Sequence, residues 1–101
     1  MSRKEGKITQ AGFYPSEGGF LCDGDIIAKV LEGTAASTSV AATLEVACNG
    51  EWSLVPDANG LSTITAAAAR PFTMAEGDRV RLNVTAVNGD WNYSLANRYP
   101  R

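Results

Sequence analysis

The sequence predicts an all-β, antiparallel fold, either a β-sandwich or a jelly-roll-like small barrel. Three observations support this: apolar and polar residues alternate over short stretches, turn-forming residues recur at regular spacing, and no segment has a convincing helical period. About seven short strands follow from the spacing of the turns. The same alternation suits two packed sheets and a closed barrel, so the sequence leaves both architectures open.

The first half of the sequence predicts a strand and a hairpin. Residues 26–31 are apolar and β-branched, and Glu32-Gly33-Thr34 is predicted to end this strand. Residues 40–48 place Leu44, Val46 and Cys48 on one face of a second strand. Asn49-Gly50 is the strongest two-residue hairpin signal, so residues 52–55 are predicted to return alongside it.

The second half of the sequence predicts an edge strand and another hairpin. Four alanines at 66–69 are followed by Arg70-Pro71, which favours a single turn or an extended crossover over a helix. Pro71 suits the start of an edge strand. Val80, Leu82 and Val84 then alternate with polar residues, and Asn88-Gly89 predicts that residues 78–87 form a hairpin with residues 91–95.

Residues 1–20 are predicted to form an extended N-terminal arm before a single β-sandwich domain at residues 21–101. The segment contains five turn-forming Gly and Pro residues and has little periodicity. Three aromatic residues, Phe13, Tyr14 and Phe20, lie among the turn formers. They are candidates either to anchor the arm in a partner's groove or to fold back on the domain's own sheet.

Composition narrows the classes of function. The chain has 101 residues and a net charge of −2, which disfavours nucleic acid because phosphate binding requires a dense basic face. Its apolar runs are too short to span a bilayer, and no apolar signal segment follows the first charges, so production in a host cytoplasm is expected. The locally basic stretch is the N-terminus, with Arg3, Lys4 and Lys7.

No constellation of residues predicts catalysis, a cofactor or a metal site. Histidine, the commonest general base and metal ligand, is absent. Cys22 and Cys48 are expected to be reduced and buried, with a disulfide as the alternative. Asp23-Gly24-Asp25 and Asp57-Ala58-Asn59-Gly60 resemble parts of a calcium loop, but Asp, Asn and Gly are also what tight turns require.

Aromatic and arginine side chains on the predicted strands have two interpretations each. Trp52, Trp91 and Tyr93 could form a stacking platform for sugars, although packing in the core is the stronger interpretation. Arg79 and Arg81 share one face of a strand. Either they are solvated charges that keep another strand from pairing at the sheet edge, or they form ion pairs with a neighbouring subunit in an assembly.

One segment resembles a sequence pattern that recurs in a known family of jelly-roll proteins. Phe72-Thr73-Met74-Ala75-Glu76-Gly77-Asp78-Arg79-Val80-Arg81-Leu82 is similar to a turn between late strands in domains of the complement-globular and tumour-necrosis type. Gly77 would admit the tight turn, and Val80 and Leu82 would enter the core. The resemblance covers about eleven residues and implies a topology rather than a function.

The size, the arm and the missing catalytic residues together resemble head decoration, or cement, proteins of tailed bacteriophages. This resemblance implies a non-enzymatic virion protein on the capsid surface, a homo-oligomer with a trimer favoured, and the major capsid protein as partner. No nucleic-acid or membrane partner is expected. A carbohydrate- or receptor-binding module of a tail or adhesin is the alternative, and an accessory domain of a bacterial surface or secretion machine is a third. The expected partner-binding residues are Arg3, Lys4, Lys7, Phe13, Tyr14, Phe20, Arg79 and Arg81.

Overall fold

Two long strands dominate the computed structural model, which describes residues 3–16, 18–56 and 60–98. They belong to a single curled, antiparallel sheet of eight strands, so the predicted all-β class is confirmed. The strands are β1 (Arg3–Ile8), β2 (Gly12–Tyr14), β3 (Phe20–Leu21), β4 (Ile26–Cys48), β5 (Glu51–Leu54), β6 (Thr63–Ile64), β7 (Ala68–Phe72) and β8 (Arg79–Asn97).

The long strands β4 and β8 pair with each other and carry the short strands along their outer edges. On the far side of β8, β1 pairs with the second half and β2 and β3 pair with the first half. On the far side of β4, β7 pairs with the first half, and β6 and β5 pair with the second. The register shifts between Glu32 and Ala42 of β4, where irregular pairing lets a strand bend. The sheet therefore consists of two halves that face each other.

The core lies between these two halves. Val80, Leu82 and Val84 of β8 are buried, and so are Trp91 and the apolar residues that alternate after it. The buried positions are even-numbered before the middle of β8 and odd-numbered after it, and residues 85–90 between them are exposed or half-buried. This change of phase is what allows one strand to contribute inward side chains to both halves of the sheet.

Two predicted chain reversals are wrong for the same reason. Asn88-Gly89 does not close a hairpin, because β8 runs through it and both residues pair with β4. Glu32-Gly33-Thr34 does not end a strand, because β4 continues to Cys48. A β-carbon on Gly33 would clash with the Asp90 carboxylate on the neighbouring strand. This glycine therefore makes room for a side chain of β8 and does not form a turn.

The Asn49-Gly50 hairpin is confirmed. β4 and β5 pair directly on either side of it, with Cys48 opposite Glu51. Asn49 and Gly50 have φ angles of 54° and 79°. Positive φ at both central residues is the geometry that matches the twist of the flanking strands in a two-residue hairpin.

The described part of the predicted arm belongs to the sheet. β1 pairs with β8 from Arg3 to Ile8, and Ile8 is buried in the core. The predicted boundary between arm and domain at residues 20 and 21 falls inside β3. The arm interpretation is therefore corrected for the described residues. A segment with many turn formers and little periodicity can still pair with a neighbouring strand that offers a free edge, as β8 does here.

The two cysteines differ in exposure. Both are free thiols; Cys22 is buried as expected, but Cys48, at the end of β4, is exposed. Burial, reinforced by the charges of Asp78 and Asp23, raises the pKa of the Cys22 thiol to about 12. The neutral thiol is therefore the form that the folded protein holds.

At pH 8 we expect a thiol reagent such as dithionitrobenzoate to label Cys48 in the folded protein and Cys22 only after unfolding. The folded state keeps the Cys22 proton above pH of about 8.5, where the unfolded thiol loses it. Stability should therefore fall as pH rises from there towards 12, and less so in Cys22→Ala. Labelling kinetics and urea unfolding at pH 7.5 and 10 test this. Immediate labelling of two thiols would contradict it.

Candidate functional site

Seven of the eight predicted partner-binding residues line one cleft, which we call the cationic cleft. It has a volume of about 760 Å³ and lies between β1 and the chain around β2 and β3. The eighth residue, Arg81, lies next to it and contacts its lining residue Phe13. The cleft is lined by Arg3, Lys4, Gly6, Lys7, Phe13, Tyr14, Pro15, Ser16, Gly19, Phe20, Leu21, Arg79 and Tyr93.

Aromatic rings form the inner wall of the cationic cleft. The rings of Tyr14 and Tyr93 lie 5.3 Å apart between centroids at 57°, and the buried residue Phe20 lines the same cleft. The Tyr14 hydroxyl donates to the carbonyl oxygen of Gln10 at 2.7 Å, which holds the ring in place. Burial, followed by the effect of Tyr14, raises the pKa of Tyr93. The wall is thus an aromatic surface in which a hydrogen bond orients the Tyr14 ring and burial favours the protonated form of Tyr93.

Cations surround this wall. Lys7 Nζ lies 3.0 Å from Asp90 Oδ1, and Arg3 Nε lies 3.6 Å from Glu5 Oε1. Arg79 donates to the carbonyl oxygen of Gly18 at 3.4 Å. Among the described residues, neither Lys4 nor Arg79 has a carboxylate within 4.0 Å, and none of those that line the cleft is a carboxylate. Lys4 and Arg79 therefore supply positive charge that no described carboxylate offsets at close range, in a chain whose net charge is −2.

Arg81 is held between two aromatic rings. Its guanidinium carbon lies 3.8 Å from the centroid of the Phe13 ring and 4.2 Å from that of Trp52. Its Nε donates to Glu45 Oε1 at 2.8 Å, and the Asn83 amide donates to the other carboxylate oxygen at 3.3 Å. Only 19% of the Arg81 side chain is exposed. These contacts fix a planar cation on the outer surface of the sheet.

Exposed apolar side chains surround this arginine. Strand register places Leu21 opposite Arg79 and Leu54 opposite Glu45, so both leucines lie on the same outer surface as Arg81. Leu21, Leu54 and Phe13 are 48%, 51% and 44% exposed. We call this surface, formed by Phe13, Leu21, Glu45, Trp52, Leu54 and Arg81, the Arg81 face. It combines a fixed arginine and aromatic rings with unpaired apolar surface.

Sequence reasoning identified Arg81 and Phe13 but missed Glu45 and Trp52 as the other two residues in contact with Arg81. Glu45 and Arg81 are separated by 36 positions and meet because β4 and β8 pair with Glu45 opposite Arg81. The alternation of apolar and polar residues in the two predicted strands places both side chains on outward faces, so the sequence does indicate that each lies on the surface. The register that joins them was not predictable from one chain.

The three aromatic residues proposed as a sugar platform do not form an exposed row. Trp91 and Tyr93 are buried, which confirms core packing for these two, and the Trp91 indole donates to the carbonyl oxygen of Asn88 at 3.1 Å. Trp52 lies on the outer surface but its ring contacts Arg81. A flat series of free rings, on which a sugar-binding surface depends, is therefore not available from these residues.

The acidic turns have structural partners. The Asp23 amide donates to the Asn97 side chain at 2.8 Å, and the Met74 amide donates to Asp25 Oδ1 at 3.3 Å. Most of the second acidic turn, Asp57 to Asn59, lies outside the described residues. Within the described ranges, His, Cys, Asp and Glu side chains form no group of three or more that could hold a metal ion.

No family model matches the chain, and no curated protein matches it. A search of the described residues finds no helix with the length and apolar character needed to cross a membrane. Any assignment of function therefore depends on the two surfaces described above.

Proposed function

We propose that the protein is a non-enzymatic structural protein of a phage virion that binds the assembled capsid and stabilises it as a decoration protein. The observation that carries this proposal is the Arg81 face, a preorganised surface suited to binding another protein. Interfaces between proteins are enriched in aromatic residues and arginine at their centres, and these residues dominate binding energy. The partner would be the major capsid protein.

The geometry of the Arg81 face supports a protein partner over a small molecule. Its apolar residues are spread over β2, β3 and β5 rather than gathered in a pocket. Arg81 is already held by Glu45 and two rings, so little side-chain entropy is lost when a partner covers it. A broad, rigid surface with exposed leucines gains most by being buried against a similarly broad surface.

The N-terminal segment does not act as an extended arm in this proposal, because its described residues in β1 pair with the sheet. In our proposal the domain docks by its rigid outer surface. Binding to the assembled shell but not to dissociated subunits stabilises the shell by mass action, and many copies act together. A homo-oligomer, with a trimer favoured, would present several such surfaces at once and cover exposed sheet edges.

The test compares three leucines of similar exposure in cosedimentation with empty capsids of the phage that encodes the chain. Leu21→Glu and Leu54→Glu alter the Arg81 face, whereas Leu31→Glu alters the other half of the sheet, where Leu31 is 43% exposed. We expect each of the first two variants to weaken capsid binding by at least about tenfold, since a buried apolar contact becomes an unpaired charge. Leu31→Glu should bind within about twofold of the unaltered protein.

Light scattering provides the second readout and a check on folding. We expect the unaltered protein and all three variants to have the same molar mass, that of a trimer in our proposal. Equal loss of capsid binding in all three variants would mean that an added negative charge anywhere on the protein weakens binding, and it would contradict a specific role for the Arg81 face. A protein that is monomeric and does not sediment with capsids would overturn the proposal.

A further inference from the structure

The cationic cleft has features that the capsid proposal does not use. Four of the nine lysine and arginine residues of the chain line it, namely Arg3, Lys4, Lys7 and Arg79. No carboxylate of the described residues does so. Arg3 and Lys7 are ion-paired with Glu5 and Asp90, so Lys4 and Arg79 carry the charge that no described carboxylate offsets at close range. These two cations favour an anionic ligand at contact in a chain whose net charge is negative.

One side of the cleft is the free edge of β1. Among the described residues, β1 pairs with β8 and with no other strand. In a β-strand the backbone N–H and C=O groups point alternately to the two sides, so those facing away from β8 can pair with an added strand. The six residues of β1 offer an edge about 20 Å long.

Gly6 brings the aromatic wall next to this edge. It lies opposite Tyr93 in the register, and a β-carbon there would be 3.4 Å from the tyrosine ring, so the ring packs on the face of β1 at this position. The rings of Tyr93 and Tyr14 therefore lie on the same side of the sheet as one face of a strand added beside β1. An incoming chain could pair with β1 and place alternate side chains against these rings.

We propose that the cationic cleft binds an extended acidic peptide segment of a partner protein, which adds to the sheet as a strand beside β1. Main-chain hydrogen bonds to β1 supply affinity, and the cations select carboxylate side chains. Apolar side chains at alternate positions of the peptide contact Tyr14 and Tyr93. The cationic cleft shares Phe13 and Leu21 with the Arg81 face, but the cations and the β1 edge on which this inference rests lie outside that face. Failure of the capsid proposal would therefore leave this inference intact.

The first experiment measures binding of a fluorescein-labelled octapeptide of alternating glutamate and valine by fluorescence anisotropy at low salt. The unaltered protein is compared with Lys4→Glu/Arg79→Glu and with Lys29→Glu, which reverses an exposed lysine outside the cationic cleft. We expect the double variant to weaken binding at least tenfold and Lys29→Glu to change it less than twofold. Circular dichroism verifies that each variant is folded.

The second experiment changes the peptide and leaves the protein intact, so it does not depend on folding of any variant. Two octapeptides carry N-methyl groups at alternate amides, one in each phase. Strand addition requires that one phase weakens binding at least tenfold and the other less than threefold, because only one set of amides faces β1. Similar binding of both methylated peptides would overturn strand addition.

Two control ligands test whether binding requires acidic side chains and whether it requires a peptide backbone. The same octapeptide with lysine in place of glutamate should bind at least tenfold more weakly. Single-stranded oligothymidylate of matched charge should bind more weakly than the acidic peptide, since it offers no backbone amides to β1. Tighter binding of the oligonucleotide, or no binding of the acidic peptide at 1 mM, would overturn the proposal.

Discussion

Gly19→Ala is expected to lower the free energy of unfolding by about 3 kcal/mol. Gly19 has a φ of 78°, which an alanine adopts only with strain, and an added β-carbon would lie 2.7 Å from the Trp52 ring and 2.8 Å from the carbonyl oxygen of Val80. The backbone oxygen is part of β8 and cannot move aside cheaply. The glycine therefore allows the chain between β2 and β3 to pass beneath Trp52.

Gly50→Ala is the matched control for this prediction. Gly50 has nearly the same φ, 79°, but nothing lies within 4 Å of an added β-carbon. Gly50→Ala should therefore lower the free energy of unfolding only through backbone strain, by about 1 kcal/mol. Chemical denaturation of both variants measures the difference, which isolates the contact with Trp52 and Val80. Equal costs would show that the close approach at Gly19 is absent in solution.

Arg81→Ala is expected to destabilise the fold by about 2 kcal/mol, combining the lost cation–π contacts with an ion pair that is largely shielded from water. Glu45, whose side chain is 16% exposed, would lose its charged partner and keep only the Asn83 amide. The rings of Phe13 and Trp52 would lose the group that lies between them. Urea unfolding measures the cost, and the Trp52 emission should change in the folded state.

Arg79→Ala provides the comparison for Arg81→Ala. Arg79 lies two residues earlier on the same strand face, but its described contact is one long hydrogen bond to the carbonyl oxygen of Gly18. Its removal should cost about 0.5 kcal/mol or less. A double-mutant cycle with Glu45→Gln should give a coupling energy of about 1 kcal/mol with Arg81 and near zero with Arg79. Equal coupling would contradict the packing described here.

Much of the candidate site was predictable residue by residue, but its assembly was not. Phe13, Tyr14 and Arg79 were recognisable as aromatic or cationic residues outside a regular core pattern. Tyr93 has the alternation of a core residue, and its place at the wall of the cationic cleft follows from the pairing of β1 with β8. Leu21 and Leu54 are apolar residues that local alternation cannot distinguish from core positions, because exposure depends on which side of the sheet is covered.

Local sequence determined the class of fold and the tight turn at Asn49-Gly50, because alternation and positive-φ preferences act between neighbours in the chain. It could not determine that Asn88-Gly89 lies within a single strand. A change of phase in apolar alternation is produced equally by a hairpin and by a long strand that crosses from one half of a core to the other. Only the pairing of β4 with β8 over the whole length of both halves distinguishes them. The tertiary structure likewise decided that the N-terminal residues complete the sheet, since free edges and register are properties of the partner strand as much as of the segment itself.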